Sequence, residues 1–314
     1  MILSKMNHFI NLKDIKTKDL RKIILDAKKR KNLRNSLNTL EVDKGSPLKG
    51  KILVQMFEKP SLRTRLSFYL AIKQLGGGTI TLRSNELHLG QGGESIADTA
   101  KILSTYGDGF MLRTDDDKKL ENFKKYLSIP VINGLSPSSH PTQVLSDIFT
   151  VEEIKKKSIS NLNICWIGDS NNVLNSLIAA SVKFKFNLNI GCPNNYSPNK
   201  AILNWAQKQN KFIKVNSDPK ISIKNADVVF SDKVISLNDK VNKKKKLKDF
   251  KNYKITSSLF KYAKKKCVFL HCLPRGNEVE NKVFQSKNSQ VWLQALNRVH
   301  VQKSILLFCF GKLR

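Results

Sequence analysis

Short apolar runs recur along this chain, and each gives way to a few polar residues and then to a helical pattern. KILVQMF (51–57), GFML (109–112), PVIN (130–133), NICWIG (163–168), DVVFS (227–231) and CVFL (267–270) are continuous rather than alternating. Runs of that length and texture are strands buried on both faces. Between them, Leu66, Tyr69 and Leu70, and later Ile96, Ala100 and Leu103, recur at the spacing of one helix face. Strands that alternate with helices predict parallel sheets covered on both sides. With 314 residues there is room for two such sheets, each with its own core. The expectation is an α/β fold of two Rossmann-like domains, residues 1–148 and 149–314, joined by long helices. The last helix, about 291–310, would pack back on the first domain, and the active site would lie in the cleft between the two.

Polar residues of unusual type stand just past these strands. Ser61 and Arg63 follow the first run, Arg113 ends the second and His140 follows PVIN. Asp169–Asn172 follow ICWIG, Asp232 follows DVVFS, and His271-Cys272 end CVFL. Ligands of open α/β sheets bind at the carboxyl ends of the strands, so these positions are candidate site residues. FEKPSLRTRLSF (57–68) is the most specific of them. Pro60 sets a turn, and Ser61, Arg63, Thr64 and Arg65 fall where a helix N-terminus exposes backbone N–H groups and the positive end of its dipole. Two guanidiniums and two hydroxyls in one such turn form a cradle for phosphate. WIGDSNN lacks the GxGxxG fingerprint, which argues against a dinucleotide.

Lys and Arg exceed Asp and Glu by 56 to 25, a formal charge of +31. The excess is spread over loops and helix faces and comes with no nucleic-acid reading element or aromatic stacking surface, so no nucleic-acid partner is expected. Lys243–Lys246, within a lysine-rich loop at 239–251, reads as a solvated charge run. The field still favours acidic substrates. No apolar run is long enough to span a membrane, and the N-terminal residues lack a secretory h-region, so a cytoplasmic protein with no membrane partner is expected. Five cysteines without a CxxC fit a reducing compartment. Cys267, His271 and Cys272 share one strand with no second ligand cluster, so neither metal nor cofactor is expected. The glycine-rich stretch NELHLGQGGE (85–94) is expected to be a mobile loop.

FEKPSLRTRLSF, ESIADTAKIL, HPTQ, WIGDSNNVL, FLHCLP and NRVHVQK stand in the order of the aspartate/ornithine carbamoyltransferase family, and the chain resembles its ornithine branch from about residue 7 to the C-terminus. The resemblance implies a first domain that binds carbamoyl phosphate, a second that binds the amino acid, and a homotrimer. It implies transfer of the carbamoyl group to the side-chain amine of L-ornithine, giving L-citrulline and phosphate for arginine biosynthesis. It assigns Ser61, Leu62 (through its backbone), Arg63 and Thr64 to the phosphate, and Arg113, His140 and Gln143 to the carbamoyl end. Cys272, Leu273 and Arg298 would close over the reacting carbonyl, and Asn172, Asp232, Ser236 and Leu237 would grip ornithine. Arg113, His140, Cys272 and Asp232 are the implied catalytic set. The chain departs from the family at D-x-W-V-S-M-G, here Asp232-Lys233-Val234-Ile235-Ser236-Leu237-Asn238, at Leu62 for the commoner Thr, and at His88 where some members have Gln. After HCLP it is two residues shorter than many members. These departures bear on the amine, and the rival substrates are N-acetylornithine, N-succinylornithine and putrescine. A rival of another class is a non-catalytic basic protein that binds nucleic acid or anions.

Overall fold

The computed structural model describes residues 6–83, 93–235 and 242–313. His88 and most of the glycine-rich stretch lie outside the described residues, as do Ser236, Leu237 and Asn238. The chain forms two compact units. Residues up to Ser146 and from Leu296 onward make the first, and Asp147–Ala295 make the second.

In chain order the first unit contains α1 (Thr17–Asn32), β1 (Ile52–Phe57), α2 (Arg63–Gln74), β2 (Gly78–Arg83), α3 (Ile96–Tyr106), β3 (Gly109–Arg113), α4 (Asp117–Tyr126) and β4 (Val131–Leu135). α5 (Pro141–Lys155) starts in this unit and runs into the second. All strand pairs are parallel, in the order β2-β1-β3-β4. The chain leaves β1 toward one side of the sheet and returns to β3 on the other, which makes the β1/β3 edge a topological switch point. Val54, Met56, Phe110, Leu112, Phe123 and Val131 are among the residues of a core under this sheet. Leu75 closes α2 and Gly76 leaves it at φ 86°, the left-handed stop that glycine adopts without strain.

The second unit contains β5 (Asn163–Ile167), α6 (Asn172–Phe184), β6 (Asn187–Gly191), α7 (Lys200–Gln207), β7 (Ile213–Asn216), α8 (Pro219–Ile223), β8 (Val228–Asp232), α9 (Lys243–Asp249), α10 (Ser257–Phe260), β9 (Val268–Cys272) and α11 (Asn281–Phe284). α12 (Val291–Cys309) begins here and ends in the first unit. The sheet is again parallel, in the order β7-β6-β5-β8-β9, so its switch point lies between β5 and β8. In β3, β8 and β9 every residue is buried except the last, which is Arg113, Asp232 and Cys272 in turn. No described helix is long and apolar enough to cross a membrane.

One sequence expectation is corrected here. The lysine run is not a solvated loop: Lys243–Asp249 is helical, and Lys246 is only 3% exposed. Its ammonium pairs with Asp169 at 2.6 Å and lies 5.8 Å from the centre of the Tyr196 ring. Lys246 and Phe250 share the inward face at i, i+4, while Leu247 is turned to solvent. The carboxylate waiting on β5's exit, rather than side-chain hydropathy, selects which residue faces in.

The end of α12 is held to the first unit by buried charge. Lys303 is fully buried and donates to both Asp43 oxygens, at 3.1 and 2.9 Å. Arg34 reaches the same carboxylate at 2.6 Å. Burial pulls the Lys303 ammonium down to about 8 against the opposing pull of Asp43. Burial, and then the neighbouring cations, take His300 to about 3. Asp43→Ala would strand these cations and is expected to destabilise the first unit by about 3–5 kcal/mol. Denaturant unfolding checks this, with Asp43→Ala/Lys303→Met expected to recover part of the loss.

Candidate functional site

The site on the first unit is built at its switch point. β1 ends at Phe57, paired in register with Arg113 at the end of β3. Five residues on, α2 starts with Leu62 as its N-cap, and no side chain caps it. By contrast α3 is capped by Ser95, α4 by Asp116 and α6 by Asn171. The first-turn N–H groups of α2 therefore have no acceptor in the capping residue. Leu62 is 70% exposed, so its side chain points away from that turn. Thr64 is buried, and its hydroxyl accepts from Arg298 Nη2 at 2.7 Å. Arg298 Nη1 donates to Gln143 Oε1 at 2.8 Å. One buried guanidinium on α12 thus aligns the cradle with the first turn of α5.

His140 precedes α5 directly and is 2% exposed. Burial, followed by the charges of Arg298, Arg113 and Arg63, holds its imidazole well below the usual histidine range. It is neutral at pH 7, and the three arginines are close enough to act on it together. The loop that carries it is fixed from below by Asn133, whose Nδ2 donates to Ser139 Oγ at 2.9 Å and to Ser136 Oγ at 3.2 Å.

The second unit repeats the device with opposite charge. β5 leaves through Gly168 at φ 144°, a conformation that admits glycine. Asn171 then caps α6 by accepting from the N–H groups of Val173 and Leu174 at 3.0 and 3.1 Å. Its Nδ2 donates to Asp232 Oδ2 at 2.7 Å, across the switch point. Asp232 ends β8 in register with Cys272 at the end of β9. Burial raises the Asp232 carboxyl to about 6, against the charge of His271 and the hydrogen bonds from Lys233 and Asn171. His271 is buried and its Nε2 meets Glu278 Oε1 at 2.9 Å. Burial would raise Glu278, but the His271 hydrogen bond and the Gly276 N–H leave it lowered.

Ser61, Leu62, Arg63, Thr64, Arg113, His140, Gln143 and Arg298 accordingly belong to the first unit, and Asn172, Asp232, Cys272 and Leu273 to the second. Ser236 and Leu237 lie outside the described residues. Asn171 stands within the Asp169–Asn172 stretch picked out in the sequence, and its bond to Asp232 is what the structure adds; an Asn before the apolar Val173-Leu174 is a readable N-cap signal. One contributor was missed in the sequence. Glu58 accepts from Thr114 and Lys119 beside the cradle. Nothing local in EKPS marks that pairing across the sheet.

Residues 7–153 match the family described as aspartate/ornithine carbamoyltransferase, carbamoyl-P binding domain, and residues 160–309 match the Asp/Orn binding domain of the same family. An ornithine carbamoyltransferase of Rhizorhabdus wittichii is 39% identical over 307 residues, covering 97% of this chain and 98% of the relative. Among solved structures, the ornithine carbamoyltransferase from Pyrococcus furiosus superposes with a TM-score of 0.91 at 36% identity, over 97% of each chain. The anabolic enzyme from Campylobacter jejuni gives 0.88 at 34% identity, over 98% of this chain and 100% of that one.

A neutral His140 has a direct signature. Its ring resonances should stay at the neutral position as the pH falls from 8 through the ordinary histidine midpoint near ~6.5, and long-range 1H–15N spectra against His140→Asn check it.

Proposed function

The chain belongs to the aspartate/ornithine carbamoyltransferase family, and we propose that it transfers the carbamoyl group of carbamoyl phosphate to the side-chain amine of L-ornithine, giving L-citrulline and phosphate. The observation that carries this reading is the buried Arg298 fork. It binds Thr64 of the uncapped α2 turn and Gln143 beside His140, so an anion site and a carbonyl site share one anchor.

In the proposed reaction the phosphate end lies on the N–H groups of the α2 turn with Ser61, Arg63 and Thr64. Arg113 and the neutral His140 face the carbamoyl oxygen. The amine lone pair attacks the carbamoyl carbon, negative charge grows on that oxygen, and the C–O bond to phosphate breaks. Donors fixed in advance against such an oxygen contribute roughly 3–4 kcal/mol each. A neutral imidazole polarises the carbonyl without placing a fourth full positive charge among the arginines. Phosphate leaves into the cradle and takes up the proton that the amine gives up, so it departs as the dianion.

Ornithine is assigned to the second unit. Asp232, aligned by Asn171, suits the α-ammonium, and Asn172 stands on the same turn. Cys272 neighbours Asp232 in register and is assigned, with Leu273, to the reacting end. An amine like that of Lys, with a pKa near ~10.4, must be neutral to attack, which costs about 4–5 kcal/mol at pH 7. Asp232 and Cys272 are assigned to orient it and to help with its proton. Ser236 and Leu237 complete the assignment by resemblance. A cytoplasmic role in arginine biosynthesis goes with the reaction.

A homotrimer is proposed as well, supported by the surface of the first unit. Leu62, Leu66 and Tyr69 follow one face of α2 and are 70%, 52% and 39% exposed. Ile80 on the edge strand β2 is also exposed. Apolar stripes of this kind are ordinarily covered by association. Leu66→Glu should therefore lower the mass measured by light scattering on a sizing column; an unchanged mass would exclude this stripe from the interface.

The activity is tested by incubating the protein with carbamoyl phosphate and, separately, ornithine, N-acetylornithine, N-succinylornithine, putrescine and aspartate, and measuring ureido product. Product with ornithine, abolished in Arg63→Ala, is the expected result. Turnover only with another of these amines would move the specificity to Leu62 and residues 234–238, and no product with any would sink the reading. Asp232→Asn should raise the KM for ornithine by roughly 10- to 100-fold, the worth of a hydrogen bond to a charged group. It should also remove the loss of kcat/KM that protonation of Asp232 causes below about pH 6.

A further inference from the structure

Glu58 has no part in the assignments above, yet it is tied into the same switch point. It follows β1 directly and stands three residues before Ser61. Its side chain is only 6% exposed. The carboxylate accepts from Thr114 Oγ1 with one oxygen and from Lys119 Nζ, on α4, with the other. Its backbone N–H donates to the Arg113 carbonyl at 3.0 Å.

Thr114 is equally committed. Its hydroxyl accepts from the Asp116 N–H at 3.0 Å while donating to Glu58. Its own N–H donates to the carbonyl of Leu135, the last residue of β4, at 3.0 Å. The β3/β4 register shifts between Leu112 and Arg113, an irregularity that re-aims the strand's last side chain. The β1/β3 ladder ends at the pair Phe57 and Arg113. Beyond that pair the chains diverge, one into the cradle and the other into α4.

We infer that Glu58 and Thr114 are positioning residues: their bond across the switch point sets the span between the phosphate cradle and Arg113, and thereby selects a ligand that carries a carbonyl at a fixed distance from its phosphate over phosphate alone. This rests on the carbamoyl phosphate reading of the first unit. Inorganic phosphate needs the α2 turn alone. Carbamoyl phosphate is short and has little freedom between phosphorus and carbonyl oxygen, so it needs both groups at the right separation. Small displacements of a positioned group cost affinity and rate steeply. Lys119 completes the lock, because it balances the charge of a carboxylate that burial would otherwise disfavour.

The test uses the full-length protein with Thr114→Val, which removes the hydroxyl at nearly constant volume, Thr114→Ser, which restores it, and Glu58→Gln. Calorimetric affinities are measured for inorganic phosphate and for phosphonoacetamide, a stable analogue with both phosphonate and carbonyl, together with both KM values and the thermal midpoint. Thr114→Val should weaken phosphonoacetamide and raise the KM for carbamoyl phosphate by about 10- to 100-fold. Phosphate affinity and the KM for ornithine should stay within about twofold, and Thr114→Ser should behave as the unmodified protein. Glu58→Gln should show the same split, more weakly, and stands in if Thr114→Val does not fold. Equal loss for both ligands, or no loss for either, overturns the inference. An unmodified protein that binds the two ligands alike and forms no ureido product defeats the functional reading itself. Normal turnover, with discrimination surviving in both variants, defeats only the positioning role.

Discussion

Three guanidiniums close enough to depress one buried imidazole are the condition around which the first unit is arranged. Arg63, Arg113 and Arg298 come from α2, β3 and α12, and each adds to the cost of protonating His140. The imidazole responds by staying neutral. Arg298 is nearly inaccessible and would be costly to bury without acceptors. Its two bonds to Gln143 and Thr64 supply them, and in doing so fix the orientation of the residues on either side. A site with this excess of positive charge and an uncapped helix N-terminus suits a dianion, and in the proposed reaction it meets one as substrate and again as leaving group.

Both units place their polar groups by the same topological means. In a parallel sheet the strand ends are the only places where the backbone leaves its ladder with side chains still clustered. Where successive connections depart to opposite sides, two such ends diverge and leave a crevice. In the first unit the β1 and β3 ends carry the cradle and Arg113, with Glu58 and Thr114 bonded across the gap. In the second, β5 and β8 carry Asn171 and Asp232, again bonded across. The charges differ in sign because the proposed ligands do: cations for a phosphate, a carboxylate for an amino acid. The raised Asp232 carboxyl still ionises below neutral pH, so it is charged when it is needed.

The chain's large excess of lysine conceals a small number of lysines with structural work. Lys303 and Lys246 are buried against Asp43 and Asp169. Each breaks the expectation that lysine lies outside, and each is matched by a carboxylate, since burying an unmatched ammonium is costly. Lys246 ties α9 to the turn that presents Asn171, whereas Lys243, Lys244 and Lys245 beside it are solvated. Composition treats all four alike.

What the sequence alone determined is whatever depends on near neighbours. Continuous apolar runs identify β1, β3, β5, β8 and β9, because a strand covered on both faces has no polar positions. The Ser61–Arg65 cluster reads as the proposed anion cradle, because a helix N-terminus is a local electrostatic object. The ends of α2 at Gly76 and α3 at Ser95, seen in the structure, rest likewise on backbone conformation and capping, which reach only a few residues. The tertiary structure decided the rest. Lys246 is inside and Leu247 outside because a carboxylate 77 residues earlier faces that helix, and a run of four lysines has no period from which to read it. Arg298 reaches Thr64 across 234 residues, and Thr114 reaches Glu58 across 56. No local pattern encodes such partners, since strand order brings them together and a hydrogen bond depends on distance in space rather than along the chain.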